Sequence, residues 1–237
     1  MSRRRWIADE VSGDRAALTG AHAAHLARAL RVHPGQEFEV MCGNKVRHAI
    51  VANVSDERVE FDLYAEVLAK PTTPIVLLLA VFKFDRLEWA IEKCTELNVT
   101  SVVPVIARRT EKHLAHAAGK RVERWRRIAG QASEQARRVA APDIAHPMKL
   151  LTALTVASDL RLVLDETERE VQLSTVLRER TDISSLAIAI GPEGGWTPDE
   201  LLLFSQTGWI SVSLGMTILR AETAAIAAMA ITRGEIG

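Results

Sequence analysis

Two glycine-bearing segments in the last third of the chain hold the residues best suited to grip a ligand. The first reads Ile190-Gly191-Pro192-Glu193-Gly194-Gly195 and the second Leu214-Gly215. Glycine admits positive-φ backbone and lets a ligand approach the main chain closely. The first segment runs into Thr197-Pro198-Asp199-Glu200. A threonine with glutamate three residues on, and proline at the first helical position, specifies a loop-to-helix boundary. Ordinary tight turns use glycine in the same way. Two such segments at strand ends in one third of the chain favour a ligand site over that plainer reading.

What the ligand could be is narrowed by what the segments lack. A dinucleotide site opens a helix with Gly-x-Gly-x-x-Gly, and a phosphate loop carries Gly-Lys-Ser/Thr at its end. Neither pattern occurs in the chain. Glu193, inside the turn, would repel a polyphosphate. A cofactor with a cationic centre and an adenosine but no phosphate fits better, and S-adenosyl-L-methionine has that character.

The elements that must position these segments follow from hydrophobic periodicity. Short β-like runs over 38–41, 46–54 and 59–67, the first two separated by the turn pair Gly43-Asn44, predict a small β-rich module. A short helix around Leu26 and Leu30, ended by Pro34-Gly35, precedes them. Lys70-Pro71-Thr72-Thr73-Pro74 reads as a linker, which places a domain boundary between 1–70 and 71–237. Beyond it strands and helices alternate. Strands are expected over 75–82, 100–106, 160–164, 186–190 and 210–214, and helices over 85–97, 119–139, 171–177, 198–205 and 222–233. Asn98 is placed to cap the first of these helices in a left-handed conformation. Such alternation implies an α/β domain with a mostly parallel sheet covered on both faces. In such sheets ligands sit at the carboxyl ends of strands, which is where both glycine segments fall.

Composition bounds the partners. The net charge is zero, but residues 108–138 contain ten Lys/Arg against three Asp/Glu, while 159–237 contain six against twelve. A basic stretch in a neutral chain suits an anionic partner, although a solvated helix face with internal ion pairs has the same composition. Cys42 and Cys94 match no metal or redox spacing, and His22, His25 and His33 are not spaced as metal ligands, so no metal is expected. Ser2-Arg3-Arg4-Arg5-Trp6 leads directly to Asp9-Glu10 without an apolar leader core, and no run approaches membrane-spanning length. A cytoplasmic protein with no membrane partner is expected.

The paired segments 190–197 and Leu214-Gly215-Met216-Thr217-Ile218-Leu219-Arg220-Ala221-Glu222-Thr223-Ala224 together resemble the signature of the ribosomal RNA small-subunit methyltransferase E family, of the SPOUT class. Lys83-Phe84-Asp85-Arg86, Glu92-Lys93-Cys94-Thr95-Glu96-Leu97 and Ser133-Glu134-Gln135-Ala136-Arg137 look like further family segments. The stretch from His25 to Gly35 resembles the opening of the family's PUA-like domain. Asn98 stands where the family commonly has glycine, as does Phe84 in a loop expected beside the active site.

The resemblance implies an α/β knot, a PUA-like RNA-binding β-barrel over 1–70, a homodimer, and methylation of N3 of a uridine in small-subunit (16S) ribosomal RNA, free or in an assembled 30S particle. A related enzyme acting on transfer RNA or another ribosomal site, or a non-catalytic assembly factor, are the alternatives. Leu164, Gly191, Gly195, Leu214 and Leu219 match cofactor-contacting positions of the class, and Ile190, Glu193, Gly194, Gly215, Ile218 and Thr223 are taken with them. Arg220 and Glu222 lie next to the reacting centre. Arg220 is expected to stabilise a uridine anion, and Glu222 to act as base or to orient Arg220. Arg3, Arg4, Arg5, Lys83, Arg86, Arg137 and Arg138 are the candidates for phosphate contacts.

Overall fold

The computed structural model describes residues 5–43, 45–67, 72–136 and 138–236. The chain forms two compact units, Met1–Pro71 and Thr72–Gly237. The smaller unit contains β1 (Arg5–Ile7), β2 (Glu10–Ser12), β3 (Arg15–Thr19), α1 (Gly20–Ala24), β4 (Glu37–Cys42), β5 (Lys45–Val54) and β6 (Arg58–Glu66). Its strands form one sheet in the order β1-β4-β5-β6-β3-β2, antiparallel except for the β1–β4 pair. Leu18, Leu26, Val40, Val51, Val59 and Phe61 fill its core. Cys42 pairs with Lys45 across the expected hairpin, and Gly43 takes φ +64°. The helix expected around Leu26 is α1 continued by a π-helical turn, His25–Ala29. The first three strands were not expected: β2 is exposed at every position and so shows no alternation.

The larger unit runs β7 (Ile75–Ala80), α2 (Phe84–Glu96), β8 (Ser101–Ile106), α3 (Lys112–Ala118), α4 (Val122–Gln135), β9 (Asp143–Ile144), β10 (Met148–Lys149), α5 (Leu150–Ala153), β11 (Leu160–Leu164), α6 (Leu173–Arg178), β12 (Leu186–Ile190), α7 (Pro198–Gln206), β13 (Ile210–Val212) and α8 (Ala221–Ile236). The sheet order is β10-β8-β7-β12-β11-β13, with β9 beside β8, and every pairing is parallel. Alternate residues of the central strands enter two cores. Leu77, Leu79, Leu162 and Ile188 face α2, α4, α6 and α8. Leu78, Ala80, Val163, Ala187 and Ala189 face the side covered by α5 and α7. Each leucine, isoleucine or valine among them stabilises by about 1.5–3 kcal/mol on full burial, which is why the central strands are apolar throughout. Among the described residues no helix is long and apolar enough to cross a membrane.

Two expected bounds are corrected. The helix foreseen over 119–139 is α4 alone, preceded by a 3-10 turn at Gly119–Arg121 and by the separate α3. Its apolar face, Val122, Trp125, Ala129 and Ala132, is buried as the periodicity requires, with Arg124, Arg126 and Arg127 exposed. It stops early because the chain turns so that the Arg138 guanidinium reaches back to the carbonyls of Thr95 and Val99, both at 2.7 Å. The strand foreseen over 210–214 ends at Val212, its last partner on β11; Ser213 pairs instead with Gln172 in an isolated parallel bridge, and its hydroxyl accepts the Gly215 N–H at 3.2 Å.

The carboxyl end of α2 is a packing node. Asn98 takes φ +64° and its N–H reaches the Thr95 carbonyl at 2.9 Å. Arg233 of α8 donates to the carbonyls of Thr73, Leu97 and Asn98. Burial lowers the pKa of both Arg138 and Arg233, and the charge of Arg233 adds to the effect on Arg138. A β-carbon in left-handed backbone costs about 1–2 kcal/mol unless a short polar side chain offsets it. Asn98→Ala is therefore expected to lower unfolding free energy in urea by about 1 kcal/mol, and Asn98→Gly to leave it within about 0.5 kcal/mol.

Candidate cofactor cleft

Because β12, β11 and β13 are adjacent and parallel, the three loops that leave their carboxyl ends lie side by side. Together they enclose a cleft of about 850 Å³, open mouth included. One wall is Asp165, Glu166, Thr167 and Arg169 after β11. The second is Ile190 to Glu193, Gly195 and Trp196 after β12. The third is Ser213 to Gly215 and Thr217 to Leu219 after β13, with Ala221 and Ala224 of α8 behind it.

Each wall is held by its own sequence. In the second, the Gly195 N–H closes the turn onto the Pro192 carbonyl at 2.8 Å with φ +71° at Gly195. Thr197 and Glu200 form the expected capping box at the start of α7. Glu200 is buried, and its carboxylate accepts from the N–H groups of Thr197 and Arg108, both at 2.8 Å. This ties the turn to the loop after β8. Trp196 enters the core edge-on against Phe204, with ring centroids 4.9 Å apart. From outside, the Arg109 guanidinium donates to the carbonyls of Gly194 and Trp196. In the first wall, Asp165 accepts from the Thr167 N–H at 2.8 Å and hydroxyl at 2.7 Å, a side-chain turn that fixes the loop.

The lining has two chemical characters. Leu164, Ile190, Leu201, Val212, Leu214 and Leu219 make an aliphatic floor, while Asp165, Glu166 and Glu193 carry negative charge and Arg169 positive. The floor suits a flat heteroaromatic ring, and the carboxylates suit a cation. Glycine is favoured at three points, Gly195 among them. A β-carbon on Gly191 would stand 3.2 Å from the Trp196 indole nitrogen, and Gly215, at φ +122°, faces open space.

Most of the expected cofactor residues are brought together: Leu164, Ile190, Gly191, Glu193, Gly195, Leu214, Gly215, Ile218 and Leu219 all line the cleft. Two do not. Gly194 turns towards Arg109, and Thr223 is exposed on another side of α8, in a shallow depression with Trp89, Lys93 and Ile226. Arg220 is exposed between the cleft residues Leu219 and Ala221, and its carbonyl accepts the Ala224 N–H at 2.8 Å at the start of α8. Glu222 is only 4 % exposed. It faces Arg86, whose Nε lies 3.8 Å from its Oε1, and its Oε2 has no hydrogen-bond partner. Residues after β11 were missed, because the adjacency of β11 to β12 is not visible in a single sequence.

Of the phosphate candidates, Arg3, Arg4 and Arg137 lie outside the described residues, as does the side chain of Arg5. Lys83 is exposed at the start of α2. Arg86 and Arg138 are committed elsewhere, Arg86 to Glu193 at 2.8 Å and Arg138 to backbone carbonyls. Burial raises both thiol pKa values, that of Cys94 to about 12, which leaves neither cysteine suited to nucleophilic work.

The turn at Gly195 yields a direct expectation. In Gly195→Ala the β-carbon would meet Glu166 Oε1 at 2.7 Å in backbone that already disfavours side chains. The carboxylate can swing aside but the backbone strain stays, so unfolding free energy should fall by about 1–2 kcal/mol in a urea titration.

Comparison with known proteins bears on what this cleft is. A family model described as an RNA methyltransferase domain matches residues 69–233. Proteins named ribosomal RNA small subunit methyltransferase E are similar along the chain. That of Synechocystis is 31% identical over 228 residues, covering 90% of this chain and 71% of the relative. That of Rickettsia conorii is 38% identical over 173 residues, covering 71% and 68%. The crystal structure of the Neisseria gonorrhoeae enzyme of that name, bound to S-adenosyl methionine, superposes with a TM-score of 0.67 at 27% identity, covering 97% of this chain and 96% of that one. A Legionella pneumophila methyltransferase in complex with the same cofactor gives 0.66 at 26% identity, covering 99% and 98%. An α/β unit built on a parallel sheet, a cleft at three strand ends and these matches agree: the chain belongs to the RNA methyltransferase domain family and, within it, to the ribosomal RNA small subunit methyltransferase E family.

Proposed function

We propose that the chain methylates N3 of a uridine in small-subunit ribosomal RNA, using S-adenosyl-L-methionine held in the cleft after β11, β12 and β13. The observation that carries this reading is the cleft itself, which joins an aliphatic floor to three carboxylates, a lining that repels a polyphosphate and suits a cationic cofactor without phosphate. Leu164, Ile190, Leu214 and Leu219 would hold the adenine, and Glu166 and Glu193 would face the cationic end. When bound, the cofactor supplies an electrophilic methyl group on a sulfonium sulfur. The chain's own share is alignment, since holding the reacting atoms in line is worth up to roughly 7–11 kcal/mol in well-oriented systems.

N3 of uridine carries a proton at neutral pH and lies on the pairing edge, so the base must be unpaired and must lose that proton before or during attack. Arg220, exposed between two cleft residues, is assigned to the uracil oxygens, where its charge favours the uridine anion and lets the proton leave to solvent. Glu222 is enclosed and turned to Arg86, so we assign it to holding the first turn of α8 and not to proton abstraction. The family resemblance supports the rest of the reading: a knotted SPOUT arrangement of the larger unit, a PUA-like RNA-binding role for the smaller one, a homodimer, small-subunit RNA as substrate either free or in an assembled 30S particle, and a cytoplasmic setting.

Incubation of the protein and methyl-labelled cofactor with purified small subunits, naked ribosomal RNA and transfer RNA tests the reading. Label is expected in N3-methyluridine from the small-subunit RNA; label only in transfer RNA, or in another nucleoside, refutes it. Arg220→Ala should lower turnover by about 10²–10³-fold, the usual cost of one transition-state donor. Cofactor affinity by calorimetry should stay within a few-fold. Near-normal turnover would remove Arg220 from the reaction.

A further inference from the structure

One guanidinium joins three segments that are far apart in sequence. Arg86, in the first turn of α2, donates from Nη1 to Glu193 Oε1 at 2.8 Å, and its Nε stands 3.8 Å from Glu222 Oε1. Glu193 belongs to the turn after β12 and lines the cleft. Glu222 sits in the first turn of α8, between Ala221, which lines the cleft, and Thr223, which does not. Arg86 and Glu193 are each about one-third exposed, with side-chain values of 31%, whereas the Glu222 side chain is 5% exposed and its Oε2 has no partner. A buried carboxylate with one unsatisfied oxygen depends strongly on whichever cation it faces.

We propose that Arg86 is a positioning residue: it braces the cofactor turn against the head of α8, so that two cleft walls meet the ligand as one preformed surface. The proposal rests on the cofactor reading above. It replaces the expectation that Arg86 meets an RNA phosphate, because its charge is already paired with Glu193 through a hydrogen bond and stands 3.8 Å from Glu222. The fork geometry matters. A guanidinium presents N–H groups on two sides and serves two carboxylates at once, whereas a lysine ammonium is a single point of charge. Without Arg86 the Glu193 carboxylate loses its ion pair to α2, while the turn keeps its ties through Glu200, Trp196 and Arg109, and Glu222 is left buried beside no cation among the contacts described.

The test is a double-mutant cycle on cofactor affinity by calorimetry. It uses the unaltered protein, Arg86→Ala, Glu193→Ala and the double variant, with Arg86→Lys as the conservative arm and thermal melts to establish that each is folded. Arg86→Ala and Glu193→Ala are each expected to weaken S-adenosylmethionine binding by about tenfold, within the range measured for coupled contacts. The double variant should be no more than about twofold weaker than either single one. Arg86→Lys should fall between the unaltered protein and Arg86→Ala. RNA affinity should keep the same dependence on salt. Single variants that bind the cofactor normally, or losses that multiply in the double variant, overturn the proposal. So does an Arg86→Ala variant whose only change is a shallower salt slope in RNA binding, which would mark a phosphate contact. If Arg86→Ala does not fold, Arg86→Lys and Glu193→Ala decide: normal binding in both overturns it. Failure of the unaltered protein to bind the cofactor would instead refute the reading on which the proposal rests.

Discussion

The parallel pairing of β12 with β11 and of β11 with β13 is the constraint on which the rest of the larger unit depends. Parallel strands release their carboxyl ends on the same edge of the sheet, so Leu164, Ile190 and Val212 all hand the chain to loops at one rim. Slipping any of these pairings by one residue would exchange the two faces of a strand. The cores make that slip costly: Leu162 and Ile188 are fully buried on one face, Val163 and Ala187 on the other. The burial that sets the register thus also sets the distance between the cleft walls.

The walls themselves are stiffened by polar links that a soluble loop does not ordinarily need. Glu200 satisfies backbone donors from two loops at once, Trp196 roots the glycine turn in the core, and Arg109 closes the outer side of that turn. Buried carboxylates are costly unless their hydrogen bonds are made. Glu200 makes its bonds, whereas Glu222 leaves one oxygen without a partner. Glu222 therefore leans on the one cation it faces, Arg86, among the described residues. A preformed cleft loses less freedom when a ligand enters, and this is the physical use of so much anchoring around a few glycines.

How much of this is legible in the sequence depends on the range of the interaction. The capping box at Thr197 and Glu200 and the left-handed Asn98 were readable because they are set by neighbours in the chain. So was the apolar face of α4, through Val122, Trp125 and Ala129. The glycine segments marked two of the three cleft walls. The third, after β11, was invisible because nothing local in Asp165-Glu166-Thr167 reveals that β11 lies between β12 and β13. Glu222 was expected to act as base or to orient Arg220, yet it is buried against Arg86, over a hundred positions away. Arg138, a candidate phosphate contact in a basic run, is spent on the carbonyls of Thr95 and Val99 at and just beyond the end of α2. Long-range partners, not propensity, decided each of these.

Ultraviolet crosslinking of S-adenosylmethionine to the unaltered protein, followed by peptide mapping of the label, tests most directly whether the three strand ends form one cofactor site. Saturable labelling is expected on peptides containing residues 164–169, 190–196 and 212–219. Saturable labelling confined to other segments, or none that competes with unlabelled cofactor, would contradict it.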